Sequence, residues 1–148
     1  MFLPIPLSPP LRDNPAMLRQ RVHTFATIEG LCACRVADLV LAAHEAALLL
    51  IDTGCPDATL SLWADQAGVS LHLYDPTSAI TDDRIAESRT PHTGMTDSTV
   101  SLTVVLFLCD IVTLDRSDGA ARLHLRLRPA DHPALADRPP MLPVCAHR

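Results

Sequence analysis

The stretch LAAHEAALLLIDTG, residues 41–54, sets a histidine and a glutamate side by side in a long apolar run. A zinc hydrolase of the H-E-x-x-H kind needs a second histidine one helical turn further on. The two imidazoles then share a face and bind the metal, and the glutamate acts as base. The position in register holds Leu48. A metal partner is therefore missing, and Glu45 stands as one carboxylate among aliphatic side chains. On residue chemistry alone it reads as a helix carboxylate reaching solvent or a nearby arginine, and His44 reads as an ordinary helix residue. The other soft ligands fare no better. Cys32-x-Cys34 has the wrong spacing for a zinc knuckle, and no C-x-x-C is present.

The chain has 148 residues and a formal charge of −5, with 48% apolar residues and only 3% aromatic. That length is typical of one domain, and its core must be built from Leu, Val, Ile and Ala. All twelve basic residues are arginine. Chemistry that needs a lysine amine is excluded, and without a basic patch nucleic acid is not expected as a partner. The opening MFLPIPLSPP lacks the basic start of an export signal. The apolar runs are short for a membrane span. A cytoplasmic location is expected, with five cysteines as free thiols.

These residues must be positioned by a limited set of elements. Residues 1–12 are proline-rich and read as a flexible segment. Asn14-Pro15 marks a helix start, with Asn14 as the capping side chain. Leu18, Val22, Phe25 and Ala26 follow at helical spacing, and Gly30 ends the helix. Residues 36–51 form a second helix, apolar nearly all round and so mostly buried. ATLSLWADQAGVSLHLYD alternates in two runs about a turn, which predicts an antiparallel hairpin with one covered face. Residues 76–98 read as a long polar loop, with a short helix near 82–88. A loop of that length suggests a lid or binding segment, and it contains His92. STVSLTVVLFLCDIV fits either a strand or a buried helix. AARLHLRLR alternates as a strand after the turn signal Asp118-Gly119. From Pro129 onward the pattern lapses, and 129–148 reads as a disordered tail.

On the predicted strands Trp63, His72, Tyr74, Arg122, His124 and Arg126 share the outward side. Trp, Tyr and Arg are enriched where partners bind, although an ordinary wet sheet face carries the same residues.

This order of elements resembles the GHKL (histidine-kinase-like) ATPase fold, and most closely the small bacterial anti-sigma factors that act as serine protein kinases on anti-anti-sigma partners. NPAMLRQRVHTF resembles the first helix of that family. ADLVLAAHEAALLLIDTG resembles its N-box helix, VSLHLYDPTS the strand ending in the adenine-reading aspartate, and TVSLTVVLFLCD the helix opening with the second glycine box. The resemblance spans residues 13–128. It implies an α+β fold: a two-layer α/β sandwich of the Bergerat type, with a mostly antiparallel sheet and helices packed on one face.

Position by position, the resemblance puts Glu45 where the family has its catalytic base. Leu49 takes the place of the metal-binding asparagine, and Thr53 that of a histidine. Asp75 falls on the aspartate that accepts the adenine amino group, although as Asp-Pro it equally reads as a turn residue. Pro76, Thr77 and Ser78 follow where glycines are usual. Thr99 and Ser101 replace two glycines of the phosphate loop. Leu49 offers no oxygen to Mg²⁺, and Thr99 and Ser101 add Cβ atoms where backbone N–H groups would approach phosphates. The expectation is a degenerate site in which Glu45 is vestigial, with no cofactor and no Mg²⁺, and ATP as an optional ligand. Partners implied by the resemblance are a sigma factor or an anti-anti-sigma protein, and a second copy as homodimer. Two alternatives stay open: an active ATP-dependent serine protein kinase, and a nucleotide sensor independent of metal.

Overall fold

A computed structural model describes residues 1–5, 7, 14–90, 94 and 96–128. The elements run β1 (Phe2–Ile5), α1 (Pro15–Ile28), α2 (Ala33–Asp52), β2 (Thr59–Asp65), β3 (Gly68–Asp75), α3 (Asp82–Ser88), α4 (Asp97–Leu108), β4 (Ile111–Asp115) and β5 (Ala121–Leu127). The five strands form one antiparallel sheet in the order β1-β2-β3-β5-β4. The helices cover one face, giving the expected α+β two-layer sandwich.

Alternation decides which sheet face is covered. Leu60, Leu62, Val69, Leu71, Leu73, Leu123, Leu125 and Leu127 are all buried beneath the helices. The intervening residues face away from that core, and Trp63, His72, Thr113 and His124 among them are exposed. Across this open face the register aligns Phe2, Trp63, Ser70, Arg126 and Ile111 in one row. The next row holds Pro4, Ser61, His72, His124 and Thr113.

The long α2 is the centre of the helical layer, packed between α1 and α4 and against β2 and β3. Leu39, Ala42, Ala43, Ala46, Ala47, Leu49 and Leu50 are buried along it. The small alanines let the neighbouring helices approach closely. α1 ends as its sequence requires. Gly30 has φ +78 and donates its N–H to the Thr27 carbonyl, while the Leu31 N–H reaches the Ala26 carbonyl. This paired arrangement satisfies carbonyls that the helix end would otherwise leave open. The start differs from expectation: Pro15 occupies the first turn, but the Asn14 side chain makes no capping bond. What Asn14 supplies is its carbonyl, which accepts from the Met17 N–H.

Three further features depart from or refine the sequence reading. Within the segment read as flexible, Phe2–Ile5 form an edge strand paired with β2, where a proline is tolerated because an edge needs fewer ladder bonds. The ambiguous run 98–112 is divided, with helix up to Leu108 and strand from Ile111. Cys55 is a free thiol as expected, whereas Cys34 is disulfide-bonded. The short helix foreseen in the polar loop is α3, capped by Thr81, whose hydroxyl accepts from the Arg84 N–H. His92 and the 129–148 segment lie outside the described residues.

Candidate functional site

The residues singled out in the sequence gather at two places. The first is the seam between α2 and α4. Glu45, half-buried on α2, accepts a hydrogen bond of 2.7 Å from the Ser101 hydroxyl of α4. Ser101 is itself buried, at 7% exposure. Its position follows from the start of α4, where the Thr96 hydroxyl accepts from the Thr99 N–H and lies 2.9 Å from the Thr99 hydroxyl. Thr99 thus closes a capping turn between side chains of its own segment. One turn further on, the Thr103 hydroxyl reaches the carbonyls of Thr99 and Ser88, tying α4 to α3. Leu49 lies one turn beyond Glu45 and is 2% exposed, part of the hydrophobic core.

The second place is the end of β3. Asp75 is completely buried. One carboxylate oxygen accepts from the Thr77 N–H at 2.9 Å and from the Thr77 hydroxyl at 2.5 Å, and the other accepts from the Ile80 N–H at 3.1 Å. The carboxylate therefore organises its own loop, the role expected of an aspartate before proline. Ser78 has φ +54. That left-handed conformation is uncommon outside glycine, asparagine and aspartate. The Ser78 hydroxyl donates to the Gly119 carbonyl and so joins this loop to the β4–β5 turn.

Glu45 and Ser101 are thus brought into contact, Thr99 is placed on the same first turn of α4, and Asp75 is engaged by residues 77 and 80. The sequence reading missed Thr77 and Ile80 as partners of Asp75. The Asp-x-Thr spacing could have signalled Thr77, because a side chain two residues on is where an aspartate turn closes. It also missed Arg35, buried in the first turn of α2, which pairs with Asp38 at 3.1 Å and with Asp110 at 2.9 Å.

On the open sheet face, Arg126 pairs with Asp65 at 2.8 Å and donates to the Ser70 hydroxyl. The Arg122 guanidinium lies 5.2 Å from the Tyr74 ring centre. Phe2 and Trp63 form a tilted aromatic pair at one corner. Among the described residues, no group of three or more His, Cys, Asp or Glu side chains is placed to hold a metal ion. No described helix is long and apolar enough to cross a membrane. Comparison with known protein families and with curated proteins gave no match.

Proposed function

We propose that this chain is a regulatory protein that acts by binding another protein, on a degenerate GHKL-like domain that does not transfer phosphoryl groups. The observation that carries this reading is the state of Asp75. The carboxylate assigned by resemblance to adenine is fully buried, with both oxygens already accepting hydrogen bonds from its own loop. With no exposed surface on Asp75, an adenine amino group could reach the carboxylate only if the residues covering it moved aside. Two further facts support it. Leu49 packs in the core and presents hydrocarbon where an oxygen ligand is needed. The carboxylate of Glu45 is held by Ser101 of the same chain. Phosphoryl transfer depends on a metal, on cradled phosphates and on a base poised at the acceptor hydroxyl. On this reading none of the three is present in working form among the described residues.

The partner class, by resemblance, is a sigma factor or an anti-anti-sigma protein, held by occlusion in the cytoplasm. By the same resemblance, the chain pairs with a second copy as a homodimer.

Calorimetric titration with ATP, with and without Mg²⁺, tests the reading. The expected result is no binding in either condition, together with capture of a protein partner that forms a stoichiometric complex when both are purified. Mg²⁺-dependent ATP binding abolished by Asp75→Asn would make the protein a serine kinase instead. Equal binding of ATP and ADP, indifferent to chelator, would make it a nucleotide sensor.

A further inference from the structure

His72 on β3 and His124 on β5 stand directly opposite each other in the antiparallel ladder. Their ring centres are 4.1 Å apart, and the rings are inclined by 38°. Both side chains are exposed on the sheet face away from the helices. We propose that this pair is a binding site for a divalent transition-metal ion of the Ni²⁺, Cu²⁺ and Zn²⁺ class, held by one nitrogen from each imidazole with water completing its shell.

The ladder itself supplies the preorganisation. β3 and β5 are interior strands, each flanked on both sides. Directly opposite residues have Cβ atoms about 5 Å apart, so a small rotation of two rings is all that chelation asks. The neighbours in the same row are Ser61 and Thr113. They are small and leave the approach over the rings open.

The donor chemistry selects the ion. Neutral imidazole suits Zn²⁺, Cu²⁺ and Ni²⁺, whereas Mg²⁺ and Ca²⁺ need oxygen ligands that the pair does not provide. Burial, the neighbouring imidazole and the Arg126 charge hold the His72 pKa below its ordinary value, and burial and Arg126 do the same for His124. The nearby guanidiniums are occupied: Arg126 by Asp65 and Ser70, and Arg122 by Ser117, with its guanidinium over the Tyr74 ring. The remaining charged side chain in the adjoining row is Asp115 on β4, opposite Arg122.

Titration of the full chain with Ni²⁺ alone, followed by calorimetry and by paramagnetic broadening of imidazole NMR signals, tests the site. One ion per chain is expected at this pair, with the His72 and His124 signals broadening first and binding weakening as pH falls. His72→Gln and His124→Gln should each weaken binding about tenfold or more, because loss even of a group behind a ligand has that effect. His44→Gln, far along α2, should leave the affinity unchanged. Affinity that survives either substitution in the pair, or broadening that begins at other histidines, would overturn the proposal.

Discussion

Asp75 anchors the loop that follows β3. Its three hydrogen bonds fix the turn that carries the chain from β3 into the segment before α3. Hydrogen bonds to a charged acceptor are worth more than neutral ones, and buried donors left behind add a desolvation cost. Asp75→Ala is expected to lower the unfolding free energy by about 3 kcal/mol, read from urea denaturation midpoints at constant slope. Asp75→Asn keeps one acceptor oxygen and should cost less. A loss below about 1 kcal/mol for the alanine variant would mean that the carboxylate does not hold the loop. Glu45 differs in degree. It is half-buried and has one described partner, so it marks the α2–α4 seam without organising it.

At the scale of elements, the division of the run 98–112 has an identifiable cause. Asp110 accepts from Arg35 at 2.9 Å and from the Arg128 N–H at 2.8 Å. One carboxylate thus ties the beginning of α2, the junction of α4 with β4, and the end of β5. Arg35 is 3% exposed, so removing its partner strands a buried cation beside Asp38 alone. Asp110→Ala is expected to cost about 3 kcal/mol. The double variant Arg35→Met with Asp110→Ala should recover part of that loss, because a buried apolar side chain avoids the desolvation penalty of an ion. Chemical denaturation of the two variants checks both statements. A double variant less stable than the single one would show that the arginine contributes independently of Asp110.

For the whole molecule, the stacked histidines make stability depend on pH. Both His72 and His124 have folded-state pKa values lowered from the ordinary value, which is about 6.5. The unfolded chain therefore takes up protons that the folded chain resists, and acid favours unfolding. The contribution of this pair is fully present above about pH 6.5. It is lost as pH falls below that value and on through the lowered folded-state values, where the rings charge beside Arg126. The melting temperature, followed by circular dichroism across this range, should fall with acidification. His124→Gln should flatten the profile. An unchanged slope in that variant would place the acid sensitivity elsewhere.

Much of the fold is legible in the sequence because local periodicity is a property of neighbours along the chain. The alternation in 59–74 and 121–127, the buried character of α2 and the glycine stop after α1 needed only side-chain type and spacing. β1 was not legible, since four residues with a proline among them carry too short a pattern and gain their strand partner only from β2. The helix-to-strand break at Asp110 was also hidden, because the carboxylate's partners lie far away in sequence. The sequence by itself determined the alternating strands, the buried second helix and the covered sheet face. Only the tertiary structure decided that Ser101 meets Glu45, that the Asp75 carboxylate is buried and bonded to its own loop, and that His72 and His124 face each other. The reason is physical: hydropathy patterns record which face is buried, whereas hydrogen-bond partners depend on strand register and helix packing, which distant parts of the chain set together.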